Sequence, residues 1–162
     1  MLTIKPIESL TKTELDQLRS VILEYGDHMY IDLALIAGKQ RFAYEMLDFP
    51  GGRYVKPEGA FFLALYAGQP AGCIGVKRYD AESCEMKRMY VKPEFRKLGI
   101  GIELCRVAID VAKDYGYSSM LLDTNKEMPA AISIYDKFGF KEIPAYCENE
   151  NPNPVYYRYD LC

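Results

Sequence analysis

The 162-residue sequence predicts a mixed α/β (α+β) domain, with a mostly antiparallel central sheet and helices on both of its faces. Three observations predict it. Strand-like apolar runs at 60–66, 71–79 and 84–91 are joined by turns of a few residues, the spacing of an antiparallel meander. A glycine-bearing loop and an amphipathic helix over 99–116 separate the last of these runs from another at 118–123. That strand–helix–strand order implies a parallel pair. Ahead of the meander, apolar residues recur at helical spacing.

Residues 2–6 read as a first short strand. Thr11 is an N-cap for a helix over 12–25, and Glu14 three residues on completes a capping box. Leu15, Leu18, Ile22 and Tyr25 share one face of this helix, and Gly26-Asp27 is expected to end it. A second helical region follows over about 29–47, its shape obscured by Gly38, Phe42 and Tyr44. Phe49-Pro50-Gly51-Gly52 and Pro57-Glu58-Gly59 are a loop and a turn. Ala67-Gly68-Gln69-Pro70 and Asp80-Ala81-Glu82-Ser83 divide the meander. The 99–116 helix sets Ile102, Leu104, Val107, Ala108, Val111, Ala112 and Tyr115 on a broad apolar face, and Gly116 suits its end. Pro129 suits the first turn of a helix over 129–138, which Gly139 closes. Strands at 140–143 and 155–159 flank a polar loop at 148–154. With no linker, repeat or low-complexity tract, residues 1–162 read as a single domain.

The net charge of −3 supplies no basic face, which argues against a nucleic-acid partner. No apolar run reaches the roughly 18 residues of a membrane span, so no membrane partner is expected. Met1-Leu2-Thr3-Ile4-Lys5-Pro6 lacks the pattern of a secretory leader, and a cytoplasmic protein is the expectation. Five cysteines without a C-x-x-C pair, and one histidine, give neither a disulfide framework nor a metal site. Cys73, Cys84 and Cys105 fall in apolar segments as small core residues.

The stretch with chemical content is Val91-Lys92-Pro93-Glu94-Phe95-Arg96-Lys97-Leu98-Gly99-Ile100-Gly101. It places two glycines at the start of a helix. Unpaired N–H groups and the helix dipole favour an anion there, and glycine lets the anion approach the backbone. A P-loop fits less well, because Ile102-Glu103 follow Gly101 in place of Lys and Ser or Thr. A dinucleotide fingerprint lacks its third small residue, because Leu104 stands there, although Asp123 lies at the distance of the ribose-binding acid.

Arg96-Lys97-Leu98-Gly99-Ile100-Gly101 fits a pattern of Arg or Gln, two residues, Gly, one residue, then Gly or Ala. With Met89-Tyr90-Val91-Lys92-Pro93 before it, and Leu122-Asp123-Thr124, Ala131 and Tyr135-Asp136-Lys137-Phe138-Gly139-Phe140 after it, the chain resembles the GNAT family of N-acetyltransferases over nearly its whole length. The resemblance implies acetyl-CoA as cosubstrate, with no metal. It implies that backbone N–H groups of Lys97, Leu98, Gly99, Ile100, Gly101 and Ile102 hold the pyrophosphate, with side-chain charge from Arg96 and Lys97. It also implies that the fourth and fifth strands splay. The backbone of Met89, Tyr90 and Val91 is then open to the pantetheine arm, and one of its N–H groups to an oxyanion.

Tyr135 matches the position of a family tyrosine that serves as general acid; the plainer reading is a packing tyrosine beside Phe138. Glu85 is the candidate base and by alternation shares a face with Lys87, Met89 and Val91. The alternatives are a strand glutamate paired with Lys77 or Lys87, and a water chain as base. Asn125 contacts cofactor or a catalytic water, or else caps a turn. Tyr25, His28 and Tyr146 are candidate acceptor contacts, with Tyr30, Glu148 and Glu150 near them; His28 reads first as plain surface, and the last loop reads equally so. The implied function is acetyl transfer from acetyl-CoA to a primary amine by direct attack in a ternary complex. A non-catalytic coenzyme A-binding sensor is the alternative, and a homodimer is allowed without any segment marking it.

Overall fold

The computed structural model describes residues 1–29, 42, 49, 52–149 and 152–162. Alternation and apolar run length in the sequence translate into seven strands: β1 (Leu2–Pro6), β2 (Ala60–Tyr66), β3 (Gln69–Arg78), β4 (Ser83–Val91), β5 (Ser119–Asn125), β6 (Lys141–Ile143) and β7 (Pro154–Asp160). Three α-helices accompany them among the described residues: α1 (Lys12–Asp27), α2 (Ile100–Asp114) and α3 (Pro129–Phe138). The sheet order is β1-β2-β3-β4-β5-β7-β6. All neighbours are antiparallel except β4 and β5, which the α2 crossover makes parallel.

That parallel contact is short. Only Ser83, Cys84 and Glu85 pair, against Ser119, Met120 and Leu121. Beyond them the pairing stops, as the splay implied by the family resemblance requires. The sheet is covered on both faces. On one side α2 buries Ile100, Leu104, Cys105, Ala108 and Ala112 against Ala64, Ile74, Met86 and Leu122. On the other, α1 buries Leu18, Val21, Ile22 and Tyr25 against Phe61, Leu63, Cys73 and Tyr90. No helix among the described residues is long and apolar enough to cross a membrane.

The capping box forms: Glu14 N–H donates to Thr11 Oγ1 at 3.1 Å, and Thr11 N–H to Glu14 Oε1 at 3.0 Å. The helix does not stop at Gly26. It runs on through Asp27, and Gly26 serves packing instead, since a Cβ there would lie 2.5 Å from Phe42 Cε1. The helical region expected over about 29–47 lies outside the described residues apart from Met29 and Phe42, and so do Tyr30 and Glu150.

A second correction concerns β4. Its pairing with β3 slips between Cys73 and Gly75, and Arg88 sits at φ 59°, unusual for a residue with a Cβ. Before this bulge Cys84 and Met86 belong to the α2-side core. After it Met89 and Val91 pack there, and Tyr90 joins the α1-side core. Glu85 and Lys87 therefore do not share a face with Met89 and Val91. One inserted residue reverses the parity of the strand.

Candidate active site

The loop after β4 and the start of α2 build a groove. Gly99 is the N-cap of α2 at φ 81°, a left-handed conformation with open space where a Cβ would stand. At Gly101 a Cβ would fall 2.7 Å from Ile134 Cδ1 and 3.7 Å from Val91 Cγ2, so glycine lets α2, α3 and the end of β4 converge. The groove, of about 500 Å³, is lined by His28, Met89, Tyr90, Val91, Phe95, Arg96, Lys97, Gly99, Ile100, Gly101 and Ile102, with 127–131 and Ile134 opposite. Leu98 is 49% exposed and outside this lining. Arg96 donates from Nε to the Val91 carbonyl at 3.0 Å and lies 5.7 Å over the Tyr90 ring, so it braces the end of β4. Past Glu85 no described β5 residue pairs with β4, which leaves the β5-facing edge of 86–91 open. A helix start with glycines, beside an open strand edge, fits a pyrophosphate joined to an extended amide-bearing arm.

A chamber of about 90 Å³ adjoins the groove within the splay. Its walls come from both faces of the sheet: Tyr25, Met29, Phe42, Lys87, Arg88, Asp123 and Asn149 from one side, Met86, Met89, Leu122 and Tyr135 from the other, with Thr124, Asn125 and Met128. Tyr135 is 6% exposed, and its ring tilts against Phe140 and Tyr157 at 5.6 and 6.1 Å. Its hydroxyl has no hydrogen-bond partner among the described residues. Burial pushes this phenol well above its usual range, with smaller contributions from Cys105, Tyr25 and Asp123, so it stays neutral.

Glu85 is 8% exposed and lines neither cavity. The Tyr146 hydroxyl donates to its Oε2 at 2.9 Å. Lys87 does not pair with Glu85; its Nζ lies 3.3 Å from Asp123 Oδ1. Burial alone pulls Lys87 down, but Asp123 and then Glu85 outweigh it and hold the ammonium above its ordinary range. Asn149 donates to Asp123 Oδ2 at 3.2 Å. Burial, then Glu85 and Asp123, push the Tyr146 phenol upward, which keeps it a donor. Tyr79 and Tyr156 donate to the carbonyls of Tyr146 and Cys147, both at 3.1 Å, and fix this loop between β6 and β7.

Of the predicted acceptor contacts, Tyr25 reaches the chamber, Tyr146 reaches Glu85, and His28 stands on the groove, its ring 5.9 Å from Tyr90. The Tyr90 hydroxyl donates to Glu24 Oε2 at 2.8 Å and ties β4 to α1. Asn125 is 1% exposed. Its Oδ1 accepts from Glu127 N–H and its carbonyl from Met128 N–H, both at 3.1 Å, so it fixes the turn into α3 and also lines the chamber. Sequence reasoning did not single out the Lys87–Asp123 pair, Asn149 or Met128. The one signal was Asp123 itself, a carboxylate ending an otherwise apolar strand.

Residues 20–140 match the acetyltransferase (GNAT) family. An uncharacterized N-acetyltransferase of Schizosaccharomyces pombe is 35% identical over 150 residues, covering 91% of this chain and 89% of that protein. An uncharacterized N-acetyltransferase of Dictyostelium discoideum is 28% identical, covering 95% of this chain and 96% of that one. Among solved structures, PaiA N-acetyltransferase of Thermoplasma acidophilum in complex with coenzyme A shares the fold, with a TM-score of 0.71 at 20% identity over 99% of each chain.

Proposed function

The chain belongs to the GNAT family of acetyltransferases, and from that premise we propose how its two cavities divide the transfer of an acetyl group to a primary amine. By membership it is an acyl-CoA-dependent N-acyltransferase. Bound acetyl-CoA supplies an activated thioester; the chain's own residues do the rest. Backbone N–H groups of Lys97 and 99–102, which line the groove, would hold the pyrophosphate, with charge from Arg96 and Lys97. The open edge at Met89, Tyr90 and Val91 aligns the pantetheine arm and offers an N–H to the carbonyl oxygen as charge develops there. Tyr135, kept neutral by burial, donates to the departing sulfur.

The amine enters the chamber beside Tyr25. Its proton reaches Glu85, which Tyr146 orients, through a water relay, because Glu85 lines neither cavity. His28 borders the donor rather than the acceptor in this reading. Five cysteines outside any disulfide suit a reducing, cytoplasmic setting.

One observation carries the proposal: Tyr135, whose hydroxyl has no hydrogen-bond partner among the described residues, lines the chamber in the same gap onto which the open β4 edge looks. Free thiol measured with acetyl-CoA and a panel of amines tests it. Amine-dependent release is expected. Coenzyme A binding by calorimetry, with no release across the panel, would favour the non-catalytic sensor instead.

A further inference from the structure

The groove and the chamber meet at two side chains, Met89 and Met128, which line both. Met128 also packs against both apolar cores, so it spans the gap between the faces of the sheet. It is held at three points. Its N–H donates to the Asn125 carbonyl at 3.1 Å, its carbonyl accepts from Ile132 N–H at 3.2 Å, and its Sδ accepts from the Thr124 hydroxyl at 3.7 Å. Methionine is ordinarily an adaptable filler. Here the backbone and the thioether are both tethered.

We propose that Met128, tethered by Thr124, sets the length of the acyl group transferred, admitting acetyl and refusing longer chains. The inference rests on the groove being the donor site. A thioester that meets both the 89–91 edge and Tyr135 has its carbonyl carbon at the junction, since Tyr135 lines the chamber and not the groove. Its acyl chain then points past Met128 into about 90 Å³ that must also admit the amine. The chamber walls include Met86 and Leu122, both buried in the close-packed core.

The test is kcat/KM for acetyl-, propionyl- and butyryl-CoA with one amine, alongside calorimetric Kd for coenzyme A. The wild type should prefer acetyl strongly. Met128→Ala should shift the butyryl-to-acetyl ratio upward about tenfold or more, in keeping with the roughly 10–200-fold that one methylene commands in a pocket. Met128→Leu, similar in volume, should keep the wild-type preference. Thr124→Val removes the hydroxyl tether but keeps the β-branch and should relax the ratio a few-fold; it carries the test if Met128→Ala does not fold. An unchanged ratio in the folded variant, with coenzyme A affinity intact, overturns the inference. Failure of the wild type to bind coenzyme A overturns the donor-site reading beneath it, and the Kd tells the two failures apart.

Discussion

The Tyr146 hydroxyl donates at 2.9 Å to Glu85, the last β4 residue that still pairs with β5. The loop between β6 and β7 is thereby fastened at the point where the sheet opens. If Glu85 collects the amine proton, Glu85→Gln should lower kcat/KM for the amine by about 10²–10⁴-fold and leave the Kd of coenzyme A unchanged. Steady-state kinetics with calorimetry checks this; an unchanged kcat/KM would leave the water relay without Glu85 as its end.

Tyr135→Phe separates catalysis from stability. Loss of the acid should cut kcat by about 10²–10⁴-fold. Folding stability should hold or rise, because the hydroxyl removed has no partner among the described residues and a buried unsatisfied group costs about 1–3 kcal/mol. Urea denaturation reads the second half, and a large destabilisation would point to a structural hydroxyl.

The Lys87–Asp123 pair has side chains only 18% and 11% exposed. Asp123→Asn strands the ammonium and should cost about 3–5 kcal/mol. The double replacement Lys87→Met with Asp123→Leu should cost less than the single change, since both desolvation penalties go. Chemical denaturation of the two variants decides; a double variant less stable than the single one would contradict the account.

Alkaline pH should destabilise the fold. Burial pushes Cys84 and Cys105 up to about 12 and Cys73 upward as well, whereas unfolded thiols ionise near 8.5, about the free value. The folded state therefore holds protons that the unfolded state has released. This stability is complete below about pH 8.5 and falls as pH rises toward 12, by about 1.4 kcal/mol per pH unit for each thiol. Urea midpoints at pH 8 and pH 10 test it, and Cys105→Ala should flatten the slope.

Much of this architecture was legible in the sequence because it is written in local signals. Thr11 with Glu14 marked a helix start, Gly99 with Gly101 marked the groove, and turn residues divided the meander. The splay of β4 from β5 came from family resemblance rather than from spacing, and the structure has it. What the sequence hid is set by contacts distant along the chain. Gly26 looks like a helix stop until the Phe42 ring fills the space beside it. The bulge at Arg88 leaves no mark in composition, so alternation carried Glu85 onto the face of Met89. Met128 reads as a loop residue until two cavities are seen to meet at it.

The bulge has a consequence for how such a chain can diversify. Because the bulge at Arg88 inverts the strand, Lys87 turns to Asp123 while Met89 and Val91 turn to the α2-side core, with Met89 reaching both cavities. In the proposed reading a substitution at Lys87 acts on the chamber alone, whereas one at Met89 acts on both cavities. A single residue of extra backbone thus decides which layer of the molecule each later side chain of the strand can reach.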